Sequence, residues 1–95
     1  MTTTMTCEAS YARPTDTGTE RGVDVDWTLT LSDGREIEGE ATLLPREDGS
    51  GYGAWGEPAH WISGDALRAL MTLPERDCAA ALRAIEAACA EVADA

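Results

Sequence analysis

The sequence predicts a single α+β domain over residues 1–95, with an antiparallel sheet of three to four strands followed by two helices packed on one face. Three observations predict it. Apolar and polar residues alternate strictly from Val23 to Leu31 and again from Ile37 to Leu43, the pattern of half-buried strands. Cys78, Leu82, Ile85, Cys89 and Val92 follow helical spacing, so one side of that segment is apolar. The strand-like segments all precede the helical ones, an order that favours segregated over alternating architecture.

Met5, Cys7, Ala9 and Tyr11 alternate with Thr6, Glu8 and Ser10 and read as a first strand. Residues 13–19 contain Pro14, Asp16 and Gly18 and read as a loop. The hairpin comes next. A two-residue Asp-Gly loop would set odd positions against even ones and put apolar residues on both faces. A three-residue loop, Ser32-Asp33-Gly34, removes that conflict and places Gly34 in the left-handed position. Leu31 then opposes Arg35, Leu29 opposes Ile37, Trp27 opposes Gly39, Val25 opposes Ala41 and Val23 opposes Leu43. Trp27 over Gly39 is a favourable large–small pair, because the indole covers bare backbone.

Residues 45–51 read as a second flexible stretch. Residues 52–62 hold one short strand, either around Tyr52–Trp55 or around His60–Ile62. Ser63 is the N-cap expected for a short helix through Ala66, Leu67, Leu70 and Met71. Thr72-Leu73-Pro74-Glu75 resembles a capping box opening a longer helix that runs to about Asp94.

Composition narrows the function classes. The formal net charge is −11, which argues against direct binding to nucleic acid or an anionic membrane. There is no apolar run long enough to span a bilayer. Met1–Thr4 lacks the basic and apolar regions of a signal peptide, so a cytoplasmic protein is expected. All seven basic residues are arginine. Cys7, Cys78 and Cys89 show no metal-type pairing and are expected as reduced, buried thiols. No cofactor is implied.

The exposed side of the hairpin carries Asp24, Asp26, Glu36, Glu38 and Glu40, with no basic residue among them on those two strands. On the return strand the acids recur about every 7 Å, from a rise of roughly 3.4 Å per residue. Like charges facing each other across strands cost stability. The face is therefore either tolerated surface that discourages edge aggregation, or a site shaped for a cationic partner. A second candidate contact comprises Tyr52, Trp55 and Trp61, since aromatic residues in loops often anchor interfaces. The opposing reading has these indoles capping the core of a chain without Phe.

Enzymatic readings find no support in the sequence. There is no nucleophile elbow, no phosphate-binding glycine loop before a helix, and no Cys–His pair in a plausible setting. His60 is the sole histidine, and no spacing supplies a zinc ligand set. Glu36, Glu38 and Glu40 lack the loop geometry and carbonyl donors of a calcium site. An Asp26/Glu40 acid pair on an open sheet has no cleft for a sugar. A helix-turn-helix reading of the closing helices fails on charge, because Arg68, Arg76 and Arg83 are offset by six acids.

In size, in the Asp24/Asp26/Glu36/Glu38/Glu40 face and in lacking enzyme motifs, the chain resembles the small acidic anti-CRISPR and anti-restriction inhibitors of phages and mobile elements. The resemblance is one of profile and transfers no residue role. It implies a bacterial host cytoplasm and DNA mimicry, in which the acidic face blocks a basic, nucleic-acid-binding surface such as a CRISPR effector's groove. Two alternatives stay open: a non-enzymatic interaction module or homodimeric accessory protein using Trp55 and Trp61, and an antitoxin-like partner of a basic toxin.

Overall fold

The computed structural model describes residues 5–17 and 20–94. Met1–Thr4, Gly18, Thr19 and Ala95 lie outside the described residues, and with them the expected leaderless N-terminus and the tip of the expected 13–19 loop. Strands β1 (Thr6–Thr17), β2 (Glu20–Thr30), β3 (Glu36–Pro45) and β4 (Tyr52–Gly53) form an antiparallel meander in that order. Helices α1 (Pro58–Trp61), α2 (Gly64–Leu70) and α3 (Glu75–Ala93) follow. The fold is α+β, with a single-turn helix added to the two anticipated.

The hairpin register agrees residue for residue with the pairing argued from alternation, including Trp27 opposite Gly39 and Asp26 opposite Glu40. Leu31 N–H donates to the Arg35 carbonyl at 2.8 Å, which closes the three-residue loop. Gly34 sits at φ 91°, a conformation other residues adopt only at a cost. Gly39 matters for a different reason. A Cβ there would lie 2.5 Å from the Ala66 Cβ and 2.7 Å from Trp27 Cζ2, so its bare backbone lets α2 and the indole close together.

Residues 13–17 correct the sequence reading. They are strand, because β1 runs on to Thr17 alongside β2 after a register shift between Ser10 and Ala12. Turn-forming residues lost to the pairing offered by β2. The shift matters for the site, since an extra residue at Tyr11 turns Ala12 inward, opposite Val25, and sets Arg13 beside Asp24. Pro14 is tolerated for a related reason. Glu40 directs its N–H and carbonyl away from β2, onto the Ser63 Oγ and the Ser63 N–H. Strand alternation then turns the backbone groups of Cys7, Ala9 and Pro14 toward the free side of β1, so Pro14 forfeits no ladder bond.

The core lies between the sheet and the helices. Val25, Trp27, Leu29, Leu31, Ala41 and Leu43 form its floor. Ala66 and Leu70 of α2, with Ala81, Ile85 and Cys89 of α3, form its roof. Cys78, Leu82 and Val92 are only half-buried, so α3 is turned to set small Ala81 against the sheet and Leu82 toward Leu73 and Met71. Trp27 Nε1 is buried without a hydrogen-bond partner among the described residues, a cost outweighed by the area its ring removes from water.

Capping also differs from expectation. Ser63 is the N-cap of α2, but its hydroxyl accepts the Glu40 N–H at 3.2 Å instead of capping the helix. Thr72 donates its hydroxyl to the Ala69 carbonyl at 2.6 Å, and Pro74 is the N-cap of α3. Glu75 and Asp77 occupy the first turn, where the helix dipole favours acids.

Candidate functional site: the open face of the sheet

All the helices pack on one side of the sheet, so the opposite side of β1, β2 and β3 faces water. Its rows read Thr6–Thr30–Glu36, Glu8–Thr28–Glu38, Ser10–Asp26–Glu40 and Arg13–Asp24–Thr42. The five acids anticipated from the hairpin share this face, and β1 adds Glu8. Glu8, Asp26, Glu36 and Glu38 are exposed, whereas Asp24 and Glu40 are half-buried. Rows stand about 7 Å apart along the strands, with strands about 4.8 Å apart across them.

The face is not bare of positive charge. Arg13 reaches Asp26 at 3.4 Å and forms an ion pair with Glu40. This corrects the expectation of an unrelieved anionic wall: a third strand delivers the counter-charge that the hairpin lacks. Burial works against the Arg13 charge, but Glu40, Asp26 and Asp24 together hold its guanidinium above the usual arginine pKa. Asp24 is also engaged, accepting a hydrogen bond of 2.6 Å from the Thr42 hydroxyl. Among the described residues Glu8, Glu36 and Glu38 form no ion pair, and they cluster at the end of the face away from Arg13.

The aromatic candidates are not brought together on the surface. Trp61 is buried in the core, so it belongs to the packing and not to a contact patch. Tyr52 is half-buried in β4, its N–H donating to Asp94 Oδ1 at 2.9 Å. Trp55 is 39% exposed, but its Nε1 donates to the Thr42 carbonyl at 3.2 Å. Its ring stacks on His60 with centroids 5.3 Å apart. The imidazole is held in turn, because its Nδ1 accepts the Glu57 N–H at 3.0 Å. Trp55, Ile62 and Ser63 thus continue the cover that β4 gives to the outer edge of β3.

No three His, Cys, Asp or Glu among the described residues are arranged to hold a metal ion. Burial, followed by the nearby Glu8 charge, pushes the Cys7 thiol up to about 11. Burial pushes the Cys89 thiol up to about 12, with Cys7 adding to the effect. Both are poor nucleophiles at neutral pH. No helix among the described residues is long and apolar enough to cross a membrane.

No protein-family model matches the chain, and searches of curated proteins and of solved structures return no match. Residue roles therefore follow from geometry alone. Sequence reasoning missed Glu8 and Arg13. The alternation of Thr6, Glu8 and Ser10 carried the signal for Glu8. Arg13 gave none, since its place depends on the Ser10–Ala12 irregularity.

Proposed function

We propose that the protein is a non-enzymatic acidic inhibitor, anti-CRISPR-like in mode, whose open sheet face occupies an Arg/Lys-lined nucleic-acid-binding surface on another protein. The observation that carries this reading is the placement of Glu8, Asp24, Asp26, Glu36, Glu38 and Glu40 on one uncovered face, where Arg13 is the one basic residue paired with them among the described residues. Regular rows of carboxylates offer a basic groove the charge pattern it meets on a nucleic-acid backbone, and the net charge of −11 steers the encounter. Arg13 narrows the proposal. Its single charge offsets one of the two carried by Asp26 and Glu40, so Glu8, Glu36 and Glu38 supply most of the free charge and dominate the contact. An antitoxin acting on a basic toxin would use the same face by the same physics.

The test measures displacement of DNA from purified bacterial CRISPR effector complexes, with the protein titrated at several salt concentrations. Wild type is expected to displace DNA stoichiometrically, with affinity falling steeply as salt rises. The double variant Glu36→Lys, Glu38→Lys should bind about 100-fold more weakly while keeping its melting temperature, since rim charges govern association more than folding. Asp26→Lys is a poorer probe, because it sets two cations side by side at Arg13. Inhibition that ignores salt, or a fully active charge-reversed protein, refutes the proposal.

A further inference from the structure

Strand β1 is an edge strand, paired with β2 on one side only among the described residues. Between its free side and α3 runs a groove of about 490 Å³ lined by Cys7, Glu8, Ala9, Ala88, Glu91 and Val92. Cys7, Ala9, Ala88 and Val92 make an apolar floor, and all four are half-buried. Glu8 on the strand and Glu91 on the helix form exposed acidic rims. Among the described residues no basic side chain lines the groove. The hydrogen-bonding phase that places Pro14 harmlessly also aims the N–H and carbonyl groups of Cys7 and Ala9 out along this edge.

We propose that this groove receives an extended segment of another protein, alternating apolar and basic residues, which adds to the sheet beside β1. Main-chain bonds to Cys7 and Ala9 supply the pairing, as in other recognition by strand addition. Alternate side chains of the segment turn toward α3 and cover Ala88 and Val92. The intervening ones project from the open face beside Glu8, where a cation relieves an acid that has no ion pair among the described residues. Pro14 ends the available ladder, because it has no N–H to offer at the next stretch of edge. A second copy of this chain fits poorly. Pairing β1 with itself sets Glu8 and Glu91 near their own copies and brings together two chains of charge −11. Glu8 also belongs to the Glu36/Glu38 end of the open face, but the β1 edge and the α3 side of the groove do not, so the proposal does not depend on the inhibitor reading.

The experiment follows backbone amides by NMR in the isotope-labelled full chain, titrated with a short blocked peptide alternating Val and Arg. Cys7 and Ala9 amides should shift, and their hydrogen exchange should slow by about tenfold or more, as expected when an open edge becomes paired. Glu8→Lys should weaken binding by about tenfold. Ala88→Arg and Val92→Arg, each filling the groove, should abolish binding, and the melting temperature of each variant reports whether it stays folded. Both unfolding at once leaves Glu8→Lys, at an exposed position, as the deciding variant. Three outcomes overturn the proposal. The shifts fall on Glu36 and Glu38 but not on Cys7 and Ala9, a peptide alternating Val and Glu binds equally well, or the edge amides become protected by raising protein concentration without peptide. The last assigns the groove to a second copy.

Discussion

The two faces of the β2–β3 hairpin come from one alternation, yet they are completed in opposite ways. On the inner face Val25, Trp27, Leu29, Ala41 and Leu43 meet helices and leave the water almost entirely. On the open face Asp24, Asp26, Glu36, Glu38 and Glu40 stay in or near water, and a single arginine from β1 offsets part of their charge. The inner face gains stability from every residue it buries, at about 25 cal/mol per Å² of apolar surface. The open face costs stability wherever carboxylates oppose each other. A strand pair that retains such a cost on one side leans on the packing of the other.

That contrast can be broken from the inner side with the largest effect. Leu29→Ala, at a fully buried core position of β2, should destabilise the fold by about 2–5 kcal/mol in urea melts, because the cavity adds to the lost transfer energy. Loss of less than about 1 kcal/mol would mean that the sheet and helices do not share a tight core.

From the open side the effect is smaller and should depend on salt. Arg13→Ala removes the offsetting charge, so the melting temperature should fall by a few degrees at low ionic strength and recover as sodium chloride is added. The same titration on wild type should give a shallower rise. Equal slopes for the two proteins would show that Arg13 does not relieve the acids.

The smallest effect is confined to alkaline pH and separates the faces by chemistry. The thiols of Cys7 and Cys89, held at about 11 and about 12 in the folded chain, titrate near 8.5 when unfolded. The folded state then retains protons that the unfolded state has lost, so stability falls as pH rises from about 8.5 toward 11. The double variant Cys7→Ala, Cys89→Ala should lose less stability over that interval than wild type. The same slope in both proteins would place the thiols in water, outside the core.

The hairpin was legible because period-2 alternation allows a single loop length that keeps every apolar residue on one side. Helix α3 was legible for the same kind of reason, at helical spacing. Less of the candidate site could be read. Glu36 and Glu38 stand as the pattern places them, but the partners of Asp26 and Glu40 come from a segment whose own residues read as a turn. Trp55 and Trp61 look alike in sequence, yet only one lies in the core. Their fates depend on where α1 settles against β3, and no local pattern encodes that.

By itself the sequence determined the strand register, the side that each hairpin residue faces and the helical stripe of α3, because each follows from backbone periodicity and the transfer of apolar groups from water. Tertiary structure alone decided that β1 extends past Pro14, that a shift at Tyr11 swings Arg13 among the acids, and that Ser63 and Trp55 serve the edge of β3. These outcomes depend on hydrogen bonds and charges between residues far apart in the chain. The strength of each such partnership depends on distance and exposure, and both exist only once the sheet has formed.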